Sequence, residues 1–134
     1  MAVIDASVIV AAMAPDQLLE RALDMIAPYI AGGACVPSIW PIEVANALAT
    51  KQSRGALSRQ TALEVWQLAM DVPVTVIETT RDDLHADVLP LAFAQGLSTY
   101  DALYLHLARS RGIPLLTLDR KLIAACQVIG VPTS

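Results

Sequence analysis

Short apolar segments alternate with longer helix-like ones along this chain, and that alternation limits the fold more than any other feature. Strand-like runs occur at residues 2–5, 34–36, 74–78 and 114–118. Stretches with helical spacing of apolar residues lie between them. Strands that alternate with helices predict a mainly parallel sheet covered on both faces. We therefore predict a three-layer α/β/α fold with a central four- or five-stranded sheet.

The predicted helices have recognisable ends. They span residues 7–14, 17–30, 38–54, 58–70, 81–95, 98–111 and 120–126, and residues 127–131 are a candidate fifth strand. Ser38, Ser58 and Ser98 are of the residue types that cap helix N-termini. Gly112 is placed to end the helix before it. Pro90 predicts a kink or an end within residues 81–95.

Composition restricts the class of protein. The chain has 134 residues, 55% of them hydrophobic and 16% charged, which predicts one folded domain over residues 1–134. No apolar run reaches the roughly 18 residues that span a bilayer, and no basic region precedes the first apolar run. Cys35 and Cys126 are far apart and belong to no CxxC motif. Reduced core thiols in a cytoplasmic protein are therefore expected.

Four acidic residues stand out because their neighbours are apolar. Asp5 follows the apolar run AVI, Glu43 lies in WPIEVANAL, Asp101 lies in STYDALYLHLA, and Asp119 closes IPLLTLD. Each has an ordinary explanation alone, as a helix cap or as an acid near a helix N-terminus. However, Asp5 and Asp119 both follow predicted parallel strands, whose carboxyl ends share one edge of the sheet. Carboxylates gathered there would repel one another unless a cation neutralised them.

A hard divalent ion is the simplest neutraliser of such a cluster. Mg²⁺, for which Mn²⁺ can substitute, prefers oxygen ligands and retains several waters. Asp5 and Asp101 are the expected principal ligands. Glu43 and Asp119 are expected to complete the cluster, through water or a second, weaker ion, and one of these two to accept a proton from the attacking water. This arrangement suits hydrolysis of a phosphodiester. The net charge of −4 argues against broad nonspecific binding of duplexes.

These residues together resemble the PIN-domain nuclease family. The similarity rests on Asp5 in VIDASVIV, Glu43 with Asn46 in EVANAL, Asp101 in YDALYLHLA, and Thr117 with Asp119 in LLTLD. The resemblance extends over almost the whole chain and implies that the four acids form a catalytic metal cluster. It also implies a small hydroxyl residue two positions after the first acid, which is Ser7 here. We expect Ser7, Asn46 and Thr117 to orient the carboxylates by hydrogen bonds.

A free-standing chain of this length is most similar to the VapC-type toxins of toxin–antitoxin pairs. That similarity implies an Mg²⁺-dependent endoribonuclease, an RNA substrate, a homodimer and a cognate antitoxin. We expect apolar surface on the helices at 39–54 and 58–70 to be covered by a second copy or by the antitoxin. Two candidate basic edges, each equally compatible with an ordinary solvated surface, comprise Lys51, Arg54 and Arg59, and Arg109, Arg111, Arg120 and Lys121.

Other functions remain open or have little support. A PIN-domain nuclease that processes RNA without being a toxin, and a silent binding module whose acidic pocket captures an Arg, are the alternatives. The chain has no GxSxG, GxxxxGK[ST] or GxGxxG motif. His85 and His106 lack the HExxH spacing and Cys neighbours, so no zinc site is predicted. Trp40 and Trp66 are expected to pack in the core or at an interface rather than to stack on bases.

Overall fold

Four short parallel strands form the central sheet of this computed structural model, which describes residues 1–133. The strands are β1 (Ala2–Ile4), β2 (Ala34–Pro37), β3 (Val74–Ile77) and β4 (Leu115–Leu116), arranged in the order β3-β2-β1-β4. Val3 is paired with Cys35 on one side and with Leu115 on the other, so β1 is central. β1 is buried along its whole length, as expected for a strand covered on both faces.

Helices cover both faces of this sheet. They are α1 (Ala6–Met13), α2 (Leu19–Ile26), α3 (Trp40–Ser53), α4 (Arg59–Asp71), α5 (Arg81–Asp83), α6 (Leu89–Gln95), α7 (Thr99–Arg111) and α8 (Arg120–Ile129). A 3-10 turn over Ala27–Tyr29 follows α2, and a π-helical turn over Leu84–Val88 joins α5 to α6. α1 packs against α2, α3 and α4, whereas α7 lies against β1 and β2. The predicted three-layer α/β/α fold is confirmed.

Local sequence signals explain several helix ends. The hydroxyls of Ser58 and Ser98 accept hydrogen bonds from the backbone N–H groups of Thr61 and Asp101, so both serines cap their helices as predicted. Gly112 ends α7 in the left-handed conformation that favours glycine. The prediction that Ser38 caps α3 is wrong, because the helix begins at Trp40 and the Ser38 side chain makes no capping bond.

The predicted fifth strand is also wrong. Residues 127–129 continue α8, and Gly130 ends that helix with a φ of 79°. Leu122, Ala125 and Cys126 are buried at helical spacing, which extends the helix toward Ile129. The chain beyond the helix returns beside β4, where Leu115 N–H donates to Pro132 O at 2.9 Å. The helix predicted over 17–30 is shorter, and that over 81–95 is interrupted by the π turn before Pro90.

The core supports the sheet and both helical layers. Trp40 and Tyr104 are the largest fully buried side chains, so Trp40 is a core residue rather than a base-stacking platform. Cys35 and Cys126 are buried free thiols. Among the residues that the structure describes, no helix has the length and apolar character needed to cross a membrane.

Candidate functional site

Asp5 is a buried acid at the carboxyl end of the central strand. Its side chain is only 6% exposed. Ser7 Oγ donates to Asp5 Oδ2 at 2.8 Å, and Thr117 Oγ1 donates to the same oxygen at 2.7 Å. Both donors therefore hold one carboxylate oxygen, which leaves the acceptor capacity of Oδ1 for another group. The parallel pairing of β1 with β4 brings Thr117 to Asp5 across 112 residues of chain.

Asp119 is tied to Asp5 through Thr117. The Asp119 N–H donates to Thr117 Oγ1 at 3.0 Å, so the hydroxyl that supports Asp5 also holds the backbone of the second acid. Asp119 Oδ1 caps α8 by accepting from Lys121 N–H at 2.8 Å and from Leu122 N–H at 3.1 Å. The capping interpretation of Asp119 is thus correct, and it leaves the second carboxylate oxygen of this exposed residue unused.

Glu43 and Asp101 approach the same edge from α3 and α7. Ser98 caps α7 through the Asp101 N–H, and the Asp101 carboxylate lies near enough to Asp119 and Asp5 for their charges to raise its pKa. Glu43 lies beside the buried hydroxyl of Tyr104. Within the described residues, neither Glu43 Oε1 nor Tyr104 Oη makes a well-formed hydrogen bond, although both atoms are buried. An orphaned buried carboxylate oxygen is costly, and it is a candidate ligand for a cation.

The pKa shifts of the acids report their proximity. Burial raises the pKa of Asp5, and the negative charge of Asp119 raises it further. The hydrogen bonds from Thr117 and Ser7 lower this pKa but do not cancel the rise. Burial also raises the pKa of Glu43, to which the charges of Asp5 and Asp101 add. The pKa of Asp101 is raised by burial and by the charges of Asp119 and Asp5. The four acids therefore share one electrostatic environment in which each additional negative charge is unfavourable.

The grouping is open rather than tightly clustered. Across residues 1–133, no three of these four acids place carboxylate oxygens within 4.8 Å of one another. Asn46 was predicted to orient a carboxylate, but it is exposed. Within residues 1–133 it makes no hydrogen bond to any of the four acids. It instead lines a cavity of about 350 Å³ beside Glu43, together with Ile39 and Tyr100.

A second group of ligand-type side chains was not predicted from sequence. Asp83, Asp87 and His106 place one ligand atom each within 4.8 Å of one another, at a cavity of about 300 Å³. No zinc site was predicted at His106, because its neighbours in the sequence include neither an HExxH spacing nor a cysteine. The four-residue spacing of the two acids was a readable signal, but the approach of α7 was not.

Fold and acidic edge together define this chain as a PIN domain. The model of that family matches residues 2–127, and the chain belongs to the family. The resemblance seen in the sequence is thereby confirmed. PIN nucleases depend on a metal, and the acids of this chain include groups able to hold one.

Individual proteins that are similar to this chain point to one class within the PIN-domain family. Ribonuclease VapC3 of Pyrobaculum aerophilum is 32% identical over 124 residues, which cover 90% of each chain. The crystal structure of PAE2754 from the same organism has a TM-score of 0.71 and 26% identity, covering 92% of this chain and 78% of that one. VapC20 of Mycobacterium tuberculosis, described as a sarcin-ricin loop cleaving toxin, has a TM-score of 0.68, covers 93% of this chain and 95% of its own, and at 17% identity supports the fold alone.

Proposed function

We propose that this protein is a metal-dependent endoribonuclease of the VapC class, acting in the cytoplasm as the toxin of a toxin–antitoxin pair. The observation that carries the proposal is the acidic edge formed by Asp5, Glu43, Asp101 and Asp119 on a PIN fold. A relative that is 32% identical to this protein is named a ribonuclease, which supports RNA as the substrate. The product would be two RNA fragments formed by hydrolysis of one phosphodiester bond.

The residues fit Mg²⁺, with Mn²⁺ as a substitute. The donor set is made of carboxylate oxygens, which hard divalent ions prefer. The orphaned Glu43 Oε1 and the second oxygen of Asp5 are available as ligands. The open spacing suits an ion that keeps several of its waters, since water can bridge carboxylates too far apart to chelate together. When bound, the ion supplies charge neutralisation at the phosphate and a lowered pKa for the attacking water.

Each acid has a distinct proposed role. Asp5 and Asp101 would be principal ligands, because Asp5 is held rigidly and Asp101 is presented by a capped helix. Glu43 would complete the cluster from α3. Asp119 is the most exposed of the four, and it would accept a proton from the attacking water. Ser7 and Thr117 would keep Asp5 in one orientation.

Nearby cations would hold the RNA backbone. Arg120 and Lys121 directly follow Asp119 and are exposed, and the charge of Lys121 acts on Asp101. We assign phosphate contacts to this pair rather than to Lys51, which is engaged in an ion pair with Asp16 at 3.2 Å. Contacts of that kind position RNA without reading its sequence.

Conversion of Asp101 to Asn tests the catalytic assignment. Asp101→Asn keeps the size of the side chain while removing its charge, so cleavage of a labelled RNA panel in Mg²⁺ should be lost while the circular dichroism spectrum is unchanged. Asp24→Asn, which alters an exposed acid on α2, is the matched control and should cleave normally. A folded Asp101→Asn protein that cleaves like the parent would remove the assignment.

Titration with Mn²⁺ separates the nuclease from a silent binding module. A nuclease should bind Mn²⁺ and cleave at least one RNA of the panel. Metal binding with no hydrolysis of any RNA would favour the module that captures an Arg instead. A toxin is further distinguished from an RNA-processing enzyme by growth arrest on expression, which a small antitoxin encoded next to it should relieve.

The proposed partners are a second copy of the chain and the antitoxin. α3 and α4 line an apolar cavity of about 370 Å³ that includes Leu48, Leu63 and Trp66. Leu63 is 68% exposed, and Phe93 on α6 is 78% exposed. The continuous apolar surface of α3 and α4 around this cavity is of the kind that marks a protein-binding site. Light scattering of the isolated chain should give a dimer mass, and a monomer at high concentration would contradict the homodimer.

A further inference from the structure

Three metal-ligand side chains meet away from the acidic edge. Asp83 is the last residue of α5, Asp87 lies in the π turn, and His106 lies in the middle of α7. One ligand atom from each lies within 4.8 Å of the other two. We propose that Asp83, Asp87 and His106 form a second metal site, selective for a divalent transition metal such as Zn²⁺. The site would be independent of the acids assigned to catalysis.

The backbone presents both acids toward α7. Thr80 caps α5, its N–H donating to Asp83 Oδ2 at 3.3 Å and its hydroxyl accepting from the Asp83 N–H at 3.0 Å. This reciprocal capping holds the Asp83 side chain in place and leaves Oδ1 available. Asp87 follows four residues later, the spacing at which helical side chains lie on one face. The π turn packs on α7, which supplies His106.

No cation of the chain neutralises the two carboxylates through a close ion pair. Within residues 1–133 the single ion pair joins Lys51 to Asp16. Arg111 lines the same cavity of about 300 Å³ as Asp83, Asp87 and His106 but is paired with neither acid. His106 likewise makes no hydrogen bond to them in the part of the chain that the structure describes. The groups are therefore close without satisfying one another, and the cavity has room for an ion and its waters.

The ligand set selects the metal. Two carboxylate oxygens and an imidazole nitrogen suit Zn²⁺ and related transition ions, whereas Mg²⁺ prefers oxygen alone. At bond lengths of about 2.1 Å, ligands of a tetrahedral zinc ion lie about 3.4 Å apart. The ligand atoms lie within 4.8 Å of one another, so each separation has to shorten by at most about 1.4 Å. Glu78, which lines the cavity, or water would supply the fourth ligand.

Such a site would fasten the π turn to α7. That role is distinct from RNA hydrolysis and goes beyond the proposed function. The competing explanation is that the three side chains lie near one another at the surface without binding any metal. The two explanations differ in whether the chain binds zinc when Mg²⁺ saturates the acidic edge.

Calorimetric titration with Zn²⁺ in excess Mg²⁺ tests the site. The wild-type chain should bind one zinc ion, and His106→Ala should weaken binding at least about tenfold, since even indirect partners of a ligand contribute that much. His85→Ala removes the exposed histidine in the π turn and is the matched control, with unchanged affinity expected. Asp87→Asn, checked for folding by circular dichroism, should weaken zinc binding in the same way.

The spectra of the two imidazoles give a second measurement. Zn²⁺ should shift the ring nitrogen signals of His106 in the nuclear magnetic resonance spectrum and leave those of His85 in place. Asp101→Asn should still bind zinc, so loss of the nuclease assignment would not affect this site. Absence of zinc binding in excess Mg²⁺, or wild-type affinity in both His106→Ala and Asp87→Asn, would overturn the proposal.

Discussion

The hydroxyl of Thr117 contacts two acids of the proposed active site. It donates to the buried Asp5 carboxylate at 2.7 Å and accepts from the Asp119 N–H at 3.0 Å. Thr117→Val keeps the shape of the side chain but removes both interactions. Hydrogen bonds to charged groups contribute about 1.5–3 kcal/mol. Because Ser7 still donates to the same oxygen of Asp5, we take the lower end of that range.

A loss of about 1.5 kcal/mol corresponds to about a tenfold change. We therefore expect Thr117→Val to lower kcat/KM for RNA cleavage about tenfold and to weaken Mn²⁺ binding in parallel. Without its donor, the pKa of Asp5, already raised by burial, should rise further, so the acid limb of the cleavage profile should move to higher pH. Thr117→Ser retains the hydroxyl and is the matched control.

The assays are cleavage of one RNA oligonucleotide across a range of pH, calorimetry with Mn²⁺, and urea unfolding as a check of the fold. Thr117→Ser should stay within about threefold of the wild type, because the donor to Asp5 is kept. A folded Thr117→Val chain with wild-type kcat/KM and an unmoved acid limb would refute the reasoning. The Thr117 hydroxyl would then be structurally present but functionally unimportant.

Three further predictions concern pH, a phenol and a helix cap. The raised pKa values of Asp5, Glu43 and Asp101 mean that the metal-free chain gains stability from them at low pH and loses it as pH rises through those values. The Tm of the wild type minus that of Asp5→Asn should therefore decrease from pH 4 to pH 7. A difference that stays constant would contradict the link between the raised pKa of Asp5 and stability. Tyr104→Phe should move the acid limb of cleavage to higher pH, because the hydroxyl lowers the pKa of Glu43; an unmoved limb would exclude that contact. Ser98→Ala should cost about 1 kcal/mol in urea unfolding by removing the cap of α7, and no change would mean that the cap is dispensable.

The order of strands and helices was predictable because it depends on local patterns. Capping by Ser58 and Ser98 and the end of α7 at Gly112 depend on nearby residues alone, and the structure has them as expected. Asp5 and Asp119 could be placed at one edge because parallel strands share a direction. The prediction of a fifth strand failed because the apolar side chains of Val128 and Ile129 suit a helix as well as a strand.

The features that could not be predicted depend on packing between distant segments. Nothing near Ser38 in the sequence reveals that the chain turns through Ile39 before α3 begins. The approach of His106 to Asp83 and Asp87 requires the π turn to pack on α7, which no local pattern encodes. Exposure of Asn46 depends on how α3 is rotated relative to the sheet.

The pairing of β1 with β4 has a consequence for the time at which the protein becomes active. Asp5 leaves the ribosome early, whereas Thr117 and Asp119, which complete its surroundings, are translated more than a hundred residues later. During synthesis the carboxylate of Asp5 has neither the supporting hydroxyl of Thr117 nor the neighbouring Asp119. A ribosome that makes this chain would therefore not carry an assembled nuclease until β4 has been translated and has docked beside β1.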